Sequence, residues 1–385
     1  MAALIDSILK IFADEIGLDD KCKYLHFEPD AGYSDTRGHF SDSTIGQIAY
    51  EKDNQVHFSR SIFLKIITDS SNATLLGRIP LPKGILTTNY INEKLFYTII
   101  YPYFQSIKRV DHMIPQFFGT IARVKSDVFS AVLIFENLLS TGYVPCKLEN
   151  YLDFAHLSLI MKNLGVFHAY SIEARRIDTS TYFSLCSLFS DVVSSLTLVT
   201  QSVLIGRFKL ALKFIENDTR YLAVRKKANE ILENFQDFIM EFKTTDINSP
   251  LTVFCHRACK ADNIMFRYNG NDPIQLKLLD WQTCHFASLA VDILVVLYLN
   301  ADQETRDKYW DNLIDVYYSS LNETFGNEVP SKESIYKDIK RLLPIVFLVI
   351  PQRFMKPPGD LSDRDGKIID PAAEVIKDSL YRFLE

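Results

Sequence analysis

The sequence contains no hydrophobic run that is long enough to cross a membrane. Its longest apolar stretch, residues 342–350, is interrupted by Pro344 and stopped by Pro351, whereas a spanning helix needs about 20 apolar residues. The first residues also lack the pattern of a signal peptide, because the acidic Asp14 and Glu15 lie among the apolar ones. We therefore expect no membrane span and a cytoplasmic location.

Basic clusters and a cysteine framework are also missing. The net charge is −6, and no block of Lys and Arg marks a nucleic-acid surface. The six cysteines are scattered over 385 residues, which favours reduced thiols over the disulfides of a short secreted chain. Apolar residues are abundant, at 47% with 27 Phe and 19 Tyr. That is enough for the core of a long, two-lobed domain.

The stretch 251–282 carries the most specific functional pattern. An apolar run, 251–255, ends in the polar segment HRACKADN (256–263), and a strand-like run, 274–279, is followed by Asp280. Amide and carboxylate oxygens are the donors that hold Mg²⁺ against a phosphate. We therefore predict Asn263 and Asp280 as metal ligands at the ends of two neighbouring strands.

This stretch resembles the catalytic loop of protein-kinase-like phosphotransferases, in which a His precedes an Asp by two positions and an Asn by seven. The segments NIMF (263–266) and DWQ (280–282) are most similar to the ecdysteroid-kinase-like family, which is related to choline kinases and aminoglycoside phosphotransferases. The resemblance extends from about Gly32 to Asp292. It implies an α+β, two-lobed protein-kinase-like fold. Its small antiparallel-sheet N-lobe would cover residues 1–137 and its larger, mainly helical C-lobe residues 138–385.

The resemblance also implies a nucleotide-binding site for ATP with Mg²⁺. A turn between two strand candidates, GYSDTRGHFS (32–41), can lay backbone N–H groups over phosphates, although an ordinary hairpin needs the same residues. The phosphate-contacting positions of this turn would be Gly32, Ser34, Gly38 and Ser41. The segment FENL (135–138) resembles the family's link between the lobes. There Phe135, Glu136 and Leu138 would line the adenine, and Asn137 replaces the usual Asp.

A charged pair is predicted in the N-terminal half. Lys65 lies within the apolar strand SIFLKII (61–67), and Glu93 lies on a helix that we expect Pro102 to end. The resemblance implies an ion pair in which Glu93 directs the Lys65 ammonium at the α- and β-phosphates. The alternative is two unrelated surface charges.

Two further segments of the C-terminal half match the family's wording. LGVFHA (164–169) lies on a long amphipathic helix predicted over 152–174, and AVDIL (290–294) opens a later helix. We expect His168 to be a buried, hydrogen-bonded core residue rather than a catalytic base. Asp292 is expected to cap its helix and to brace the catalytic loop through the loop backbone.

One position departs from the family pattern. The residue two after His256, where the catalytic Asp belongs, is Ala258. That Asp accepts the proton of the acceptor hydroxyl, and such help is worth about 10²–10⁴-fold in rate. Asp262 is the only carboxylate inside the loop and is the possible substitute.

Two other interpretations of the loop are weaker. A zinc site would draw on Cys255, His256, Cys259, Cys284 and His285, but the spacing is poor and adjacent residues of a strand point apart. A cysteine nucleophile would have only His256 as its base.

Two hypotheses therefore remain. One is an ATP- and Mg²⁺-dependent phosphotransferase that acts on a small-molecule hydroxyl acceptor, for which the family implies a hydroxylated steroid or xenobiotic. The other is a pseudokinase that binds nucleotide or a small ligand without efficient catalysis.

Overall fold

The structure is a computed structural model. It describes most of the chain between residues 21 and 343. The described ranges are 21–30, 41–69, 74–75, 79–80, 84–108, 113–125, 128–148, 151–192, 222–237, 246–326 and 328–343, together with a few single residues outside them.

The chain forms two compact units, and neither is continuous in sequence. The first contains residues 1–102, 110–145 and 264–282, and the second contains residues 103–109, 146–263 and 283–385. The predicted lobes with one boundary at residue 137 stay a prediction. The hairpin 264–282 belongs to the first unit because its backbone forms hydrogen bonds with other segments of that unit. For example, the Leu278 N–H donates to the Met113 carbonyl at 2.8 Å.

The described residues form strands and helices as follows. The strands are β1 Lys23–Pro29, β2 Asp42–Lys52, β3 Gln55–Phe58, β4 Ile62–Asp69, β5 Thr74–Leu75, β6 Ile79–Pro80, β7 Phe117–Lys125, β8 Val128–Glu136, β9 Val144–Pro145, β10 Thr252–Cys255, β11 Ile264–Asn269, β12 Asp272–Leu278 and β13 His285–Ser288. The helices are α1 Ile85–Leu95, α2 Tyr101–Ile107, α3 Phe154–Ile177, α4 Thr179–Cys186, α5 Leu222–Glu233, α6 Leu289–Asn300, α7 Gln303–Glu323 and α8 Lys332–Leu342.

An antiparallel sheet is the centre of the first unit. Its strands follow the order β1-β2-β4-β8-β7, and β3 pairs with β2. Alternate residues of β4 point to opposite faces, so Ile62, Leu64 and Ile66 join the apolar core cluster and Lys65 points to the other face. Lys65 is thus on a central strand, which excludes an exposed edge position.

Pro102 does not end the helix that carries Glu93, so that prediction is wrong. Helix α1 passes into a π-helical stretch, Phe96–Ile100, and α2 then continues to Ile107. The Tyr101 N–H donates to the Phe96 carbonyl. Pro102 comes just after this π-helical stretch, so the residue that has no N–H to donate lies at an irregular part of a helix that continues past it.

The second unit is mainly helical, so the predicted α+β class is confirmed. The predicted long helix is α3, and it packs closely on α7 at Gly165, where an added Cβ would lie 2.4 Å from the Tyr317 carbonyl oxygen. In the part of the chain that the structure describes, no helix is both long and apolar enough to cross a membrane.

Candidate active site

A buried charge cluster lies in the first unit, on the face of the sheet opposite its apolar core cluster. The Lys65 Nζ atom is 2.6 Å from the Glu93 Oε2 atom and 2.5 Å from the Asp280 Oδ1 atom. The Lys65 and Glu93 side chains are 10% and 1% exposed, and that of Asp280 is 26% exposed. The predicted Lys65–Glu93 ion pair is confirmed, and Asp280 joins it as a second carboxylate.

The cluster keeps Lys65 charged. Burial by itself lowers the pKa of the Lys65 ammonium, but the carboxylates of Asp280 and Glu93 outweigh it and raise the pKa above its ordinary value. Burial raises the pKa of Glu93, whereas the Lys65 charge opposes this. With both carboxylates ionised, one ammonium and two carboxylates leave one negative charge in excess at this point of the fold.

Asp280 is placed by the β11–β12 hairpin and by the residues that follow it. The hairpin pairs Ile264 with Leu278, so the chain reaches Asp280 just beyond the end of β12. Trp281 is fully buried and its ring stacks on Phe96 with centroids 3.8 Å apart. Phe96 follows directly on α1, so this stack connects Asp280 to the helix that carries Glu93.

The backbone of Asp280 is strained. Its φ of +64° lies in the left-handed region, where a non-glycine residue costs on the order of 1 kcal/mol or more. The Gln282 Nε2 atom donates to the Asp280 Oδ2 atom at 3.1 Å, and Lys65 holds the Oδ1 atom. Both carboxylate oxygens are therefore held in one orientation despite the strain.

The loop 256–263 is held in the second unit by Asp292. This carboxylate accepts the N–H groups of His256 at 2.7 Å and Arg257 at 2.6 Å, and it lies 3.2 Å from the His168 Nε2 atom. The bracing role predicted for Asp292 is confirmed. The capping role is wrong, because the helix cap is Ser288, whose hydroxyl accepts the Ala290 N–H.

His168 is the buried core residue that the sequence predicts. Its side chain is fully buried, and its Nδ1 atom is 2.8 Å from the Tyr317 hydroxyl. Burial by itself raises the pKa of Asp292, but the bond to His168 and the loop contacts outweigh it and lower that pKa. Asp292 is thus a charged acceptor for the loop N–H groups.

Several residues that support the loop were missed by sequence reasoning. Asn300 accepts the Ala261 N–H at 2.7 Å and donates to the Cys259 carbonyl at 2.8 Å. The Arg257 guanidinium contacts the Asp191 carboxylate at 2.8 Å. Asn300 lies at the last turn of α6, two turns after Asp292. The position of Asn300 at the end of a helix is the sequence signal that could have identified it as a residue that supports the loop.

Ala258, which stands where the family pattern has an Asp, forms backbone hydrogen bonds within this loop. It is 5% exposed, its N–H donates to the His256 Nδ1 atom at 3.2 Å, and its carbonyl accepts the Asn263 side-chain amide at 3.0 Å. Asp262 is exposed and lies 3.6 Å from the Lys260 ammonium. The loop is therefore ordered by backbone bonds that do not need a carboxylate at position 258.

The sequence comparison places this chain in a family. The model of the ecdysteroid kinase-like family matches residues 47–327. The chain belongs to this family. It is therefore a kinase-like protein of the small-molecule phosphotransferase class, and the family predicted from 263–266 and 280–282 is confirmed. Among curated proteins, none matches the chain.

Some solved structures resemble the chain as a whole. A choline kinase from Streptococcus pneumoniae is 11% identical, with a TM-score of 0.38 over 99% of both chains. A macrolide 2'-phosphotransferase from Brachybacterium faecium is 11% identical, with a TM-score of 0.35 over 91% of this chain and 93% of its own. A microcompartment-associated aminopropanol kinase is 10% identical, with a TM-score of 0.37 over 98% and 94%. These likenesses are too low to bear on the chemistry of this family member.

The predicted phosphate-binding turn lies mostly outside the described residues. Gly32, Ser34 and Gly38 fall in the range 31–40, and Ser41 directly precedes β2. The role of this turn stays a prediction.

The segment predicted to contact adenine is described in full. Phe135 and Leu138 are buried, and the Glu136 carboxylate accepts the Gln116 N–H at 2.8 Å. The Glu136 N–H donates to the Gln116 carbonyl, and the Leu138 carbonyl accepts the Tyr143 N–H. Asn137 accepts the Leu139 N–H with its side chain and so caps the short turn 138–141. An Asp would make the same contact, so the substitution preserves the turn.

The cysteines do not assemble the zinc site considered above. Cys255, Cys259 and Cys284 are buried, and burial raises the pKa of Cys255 and Cys259. Within the described residues, the only metal-sized group of His, Cys and acidic side chains is His168, Cys255 and Asp292. Asp292 and His168 already bind the loop and Tyr317, so this group is part of the loop support.

Proposed function

We propose that this chain binds Mg²⁺-ATP and transfers its terminal phosphoryl group slowly to a hydroxyl of a small molecule. The observation that carries the proposal is the contact of Lys65 with both Glu93 and Asp280. A buried lysine held between two carboxylates is the arrangement that directs an ammonium at nucleotide phosphates. In this proposal Lys65 binds the phosphates and Glu93 positions it.

The charge of the cluster suits a divalent cation. Asp280 is the most exposed of the three groups, and the cluster has one negative charge in excess. Mg²⁺ prefers carboxylate and other oxygen donors. We propose Asp280 as its carboxylate ligand, with Asn263 as the amide ligand that the motif supplies. Bound Mg²⁺ would neutralise charge on the phosphates.

The nucleotide base has its own candidate contact. With the Glu136 N–H and the Leu138 carbonyl engaged within the chain, we propose that the Leu138 N–H is the donor to adenine. The buried side chains of Phe135 and Leu138 would contact the apolar surface of the adenine.

Slow turnover follows from Ala258. Without a carboxylate there, the hydroxyl proton of the acceptor has no base at the family position, which costs about 10²–10⁴-fold. Asp262 is a poor substitute because its exposed carboxylate is paired with Lys260. Phosphoryl transfer otherwise depends on positioning and charge neutralisation, so binding is retained. A pseudokinase with no transfer is the second candidate, and Ala258 favours it.

The acceptor would be a small hydroxylated compound, for which family membership favours a steroid or xenobiotic alcohol. Pocket shape rather than motif selects it.

The proposal is tested by calorimetric titration of the protein with ATP in the presence and absence of Mg²⁺, followed by a phosphotransfer assay on a panel of hydroxylated steroids and xenobiotics. We expect metal-dependent binding that Asp280→Asn abolishes. The matched control is Asp272→Asn at the opposite end of the same hairpin, which should bind normally. Equal binding by the two variants, or no binding by the native protein, would refute the nucleotide site. Binding without any transfer would favour the pseudokinase.

A further inference from the structure

A second polar cluster lies in the second unit, at the start of α3. It consists of Cys146, Asp153 and His156, and none of these residues has a role in the site described above. Asp153 is the N-cap of α3, where its carboxylate accepts the His156 N–H at 3.0 Å. The same carboxylate oxygen is 2.7 Å from the His156 Nδ1 atom. The helix cap therefore also fixes the orientation of the imidazole.

The imidazole bridges the carboxylate and the thiol. Cys146 is the second group that interacts with the His156 side chain, and this interaction raises the pKa of the imidazole. The ring is 4% exposed, Asp153 is 57% exposed, and Cys146 is half-buried. The Leu148 N–H also donates to the Cys146 Sγ atom at 3.4 Å. A sulfur that receives an N–H and contacts an imidazole is in a setting that stabilises a thiolate.

The electrostatics of His156 agree with this geometry. Burial by itself lowers the pKa of His156, but the contacts with Cys146 and Asp153 outweigh it and raise that pKa. Burial by itself raises the pKa of Asp153, but the hydrogen bonds with His156 outweigh burial and lower that pKa. The order thiol, imidazole and carboxylate is that of an activated nucleophile and its base.

The other cysteines are references for Cys146. Cys255 also lies near an imidazole and a carboxylate, those of His168 and Asp292, but its thiol is fully buried. Cys255, Cys259 and Cys284 are buried, whereas Cys22 and Cys186 are half-buried like Cys146. Burial raises the pKa of Cys186 to about 12, which disfavours its thiolate. The chain thus contains its own reference thiols for any measurement on Cys146.

We propose that Cys146 is a nucleophilic thiol that is modified covalently by α,β-unsaturated carbonyl compounds, with His156 as its base and Asp153 as the partner of the imidazolium. The thiolate is a soft nucleophile, and the exposed Leu148 beside it favours an apolar electrophile. None of its residues belongs to the proposed nucleotide site, and the proposal does not depend on that site.

The reaction requires only the electrophile. His156 accepts the thiol proton, and the sulfur electron pair forms a bond to the β-carbon of the unsaturated carbonyl. The π electrons of the carbon–carbon double bond move to the α-carbon, which then takes the proton from His156. The product is a thioether, and neither an oxidant nor a leaving group is involved.

N-ethylmaleimide, an unsaturated carbonyl compound, tests the proposal. The native protein is treated with a limiting amount at pH 6 to 8.5, and each of its six cysteines is followed by peptide mass spectrometry. We expect Cys146 to react about tenfold or more faster than Cys22 and Cys186 at pH 7, as a thiolate beside an imidazolium does. Its rate should also fall less steeply than theirs as the pH is lowered.

The variant Asp153→Asn distinguishes activation from mere exposure. Asn is an equally good helix cap, so the variant should fold while His156 loses the carboxylate that stabilises its imidazolium. We expect Cys146 to react several-fold more slowly and with a steeper pH dependence. Asp178→Asn is the matched control, because Asp178 caps α4 in the same way and should leave Cys146 unchanged. Reaction of Cys146 no faster than Cys22, or equal effects of the two variants, would overturn the proposal.

Discussion

Ala258 is surrounded by contacts that do not depend on its side chain. Its N–H, its carbonyl and the neighbouring N–H groups are bound by His256, Asn263 and Asp292. The loss of a carboxylate at this position is therefore a local change in an otherwise complete loop. Under the proposed function, the rate of phosphotransfer depends on this residue.

Ala258→Asp should raise phosphotransfer by about 10²–10⁴-fold. This corresponds to about 3–5 kcal/mol of barrier at 1.36 kcal/mol per tenfold. The reason is that a carboxylate there would accept the acceptor proton. The measurement is the initial rate of acceptor phosphorylation, and Ala258→Asn is the control because it has the same shape without a base.

Two results would contradict this prediction. Native protein that turns over at about 1–100 s⁻¹, as ordinary kinases do, would assign the base to another group, and Asp262→Asn would then test the first candidate. An Ala258→Asp variant that binds Mg²⁺-ATP and stays inert would favour the pseudokinase.

Helix α3 serves both sites discussed above. Its middle carries His168, which holds Asp292, and its first turn carries His156. The helix packs on α7 at Gly165, where a Cβ added to the glycine would meet the backbone of α7. The position of α3 is therefore sensitive to a single methyl group.

Gly165→Ala should destabilise the protein although Ala is the better helix former. Propensity favours Ala by about 1 kcal/mol, but the new Cβ would lie 2.4 Å from the Tyr317 carbonyl oxygen. Overpacking of this kind costs about 1–3 kcal/mol, so we expect a net loss in the free energy of unfolding. Urea denaturation measures it, with the exposed Lys162→Ala on the same helix as control. An unchanged or raised stability would show that the helices separate freely.

Asp153→Asn should also weaken the start of α3 in a pH-dependent way. His156 has a raised pKa, so its contribution is present below about pH 6.5 and is lost as the pH rises through the folded value. Asp153 has a lowered pKa, so its contribution is present above about pH 3.9 and is lost as the pH falls through the folded value.

The difference in unfolding free energy between native and Asp153→Asn protein should therefore be larger at pH 5.5 than at pH 8.5, by no more than about 1 kcal/mol because the carboxylate is largely exposed. Chemical denaturation at the two pH values measures it. A difference that grows with pH would contradict the ion pair.

At the scale of the whole molecule, the units are built from separated segments. The first unit takes its charge cluster from Lys65, Glu93 and Asp280, which are up to 215 residues apart. These three residues come together only in the folded protein. A ligand that binds to their cluster therefore stabilises the folded state as a whole.

Mg²⁺-ATP should raise the melting temperature of the native protein. Binding to the native state alone adds about 2.7 kcal/mol at a hundredfold excess over Kd. Differential scanning fluorimetry measures the shift, which Asp280→Asn should remove and Asp272→Asn should keep. The absence of a shift at millimolar nucleotide would count against the nucleotide site.

The sequence by itself determined the family, the α+β class, the Lys65–Glu93 pair and the loop 256–263. These are set by local patterns, since strand alternation, helical periodicity and motif spacing are readable over a few residues. Tertiary structure decided which side chains complete those motifs. Phe96 under Trp281 and Asn300 on the loop come from packing between segments that local patterns do not connect. The interaction of Cys146 with His156 is of the same kind, because it exists only where the chain entering α3 brings a thiol to the imidazole that Asp153 holds.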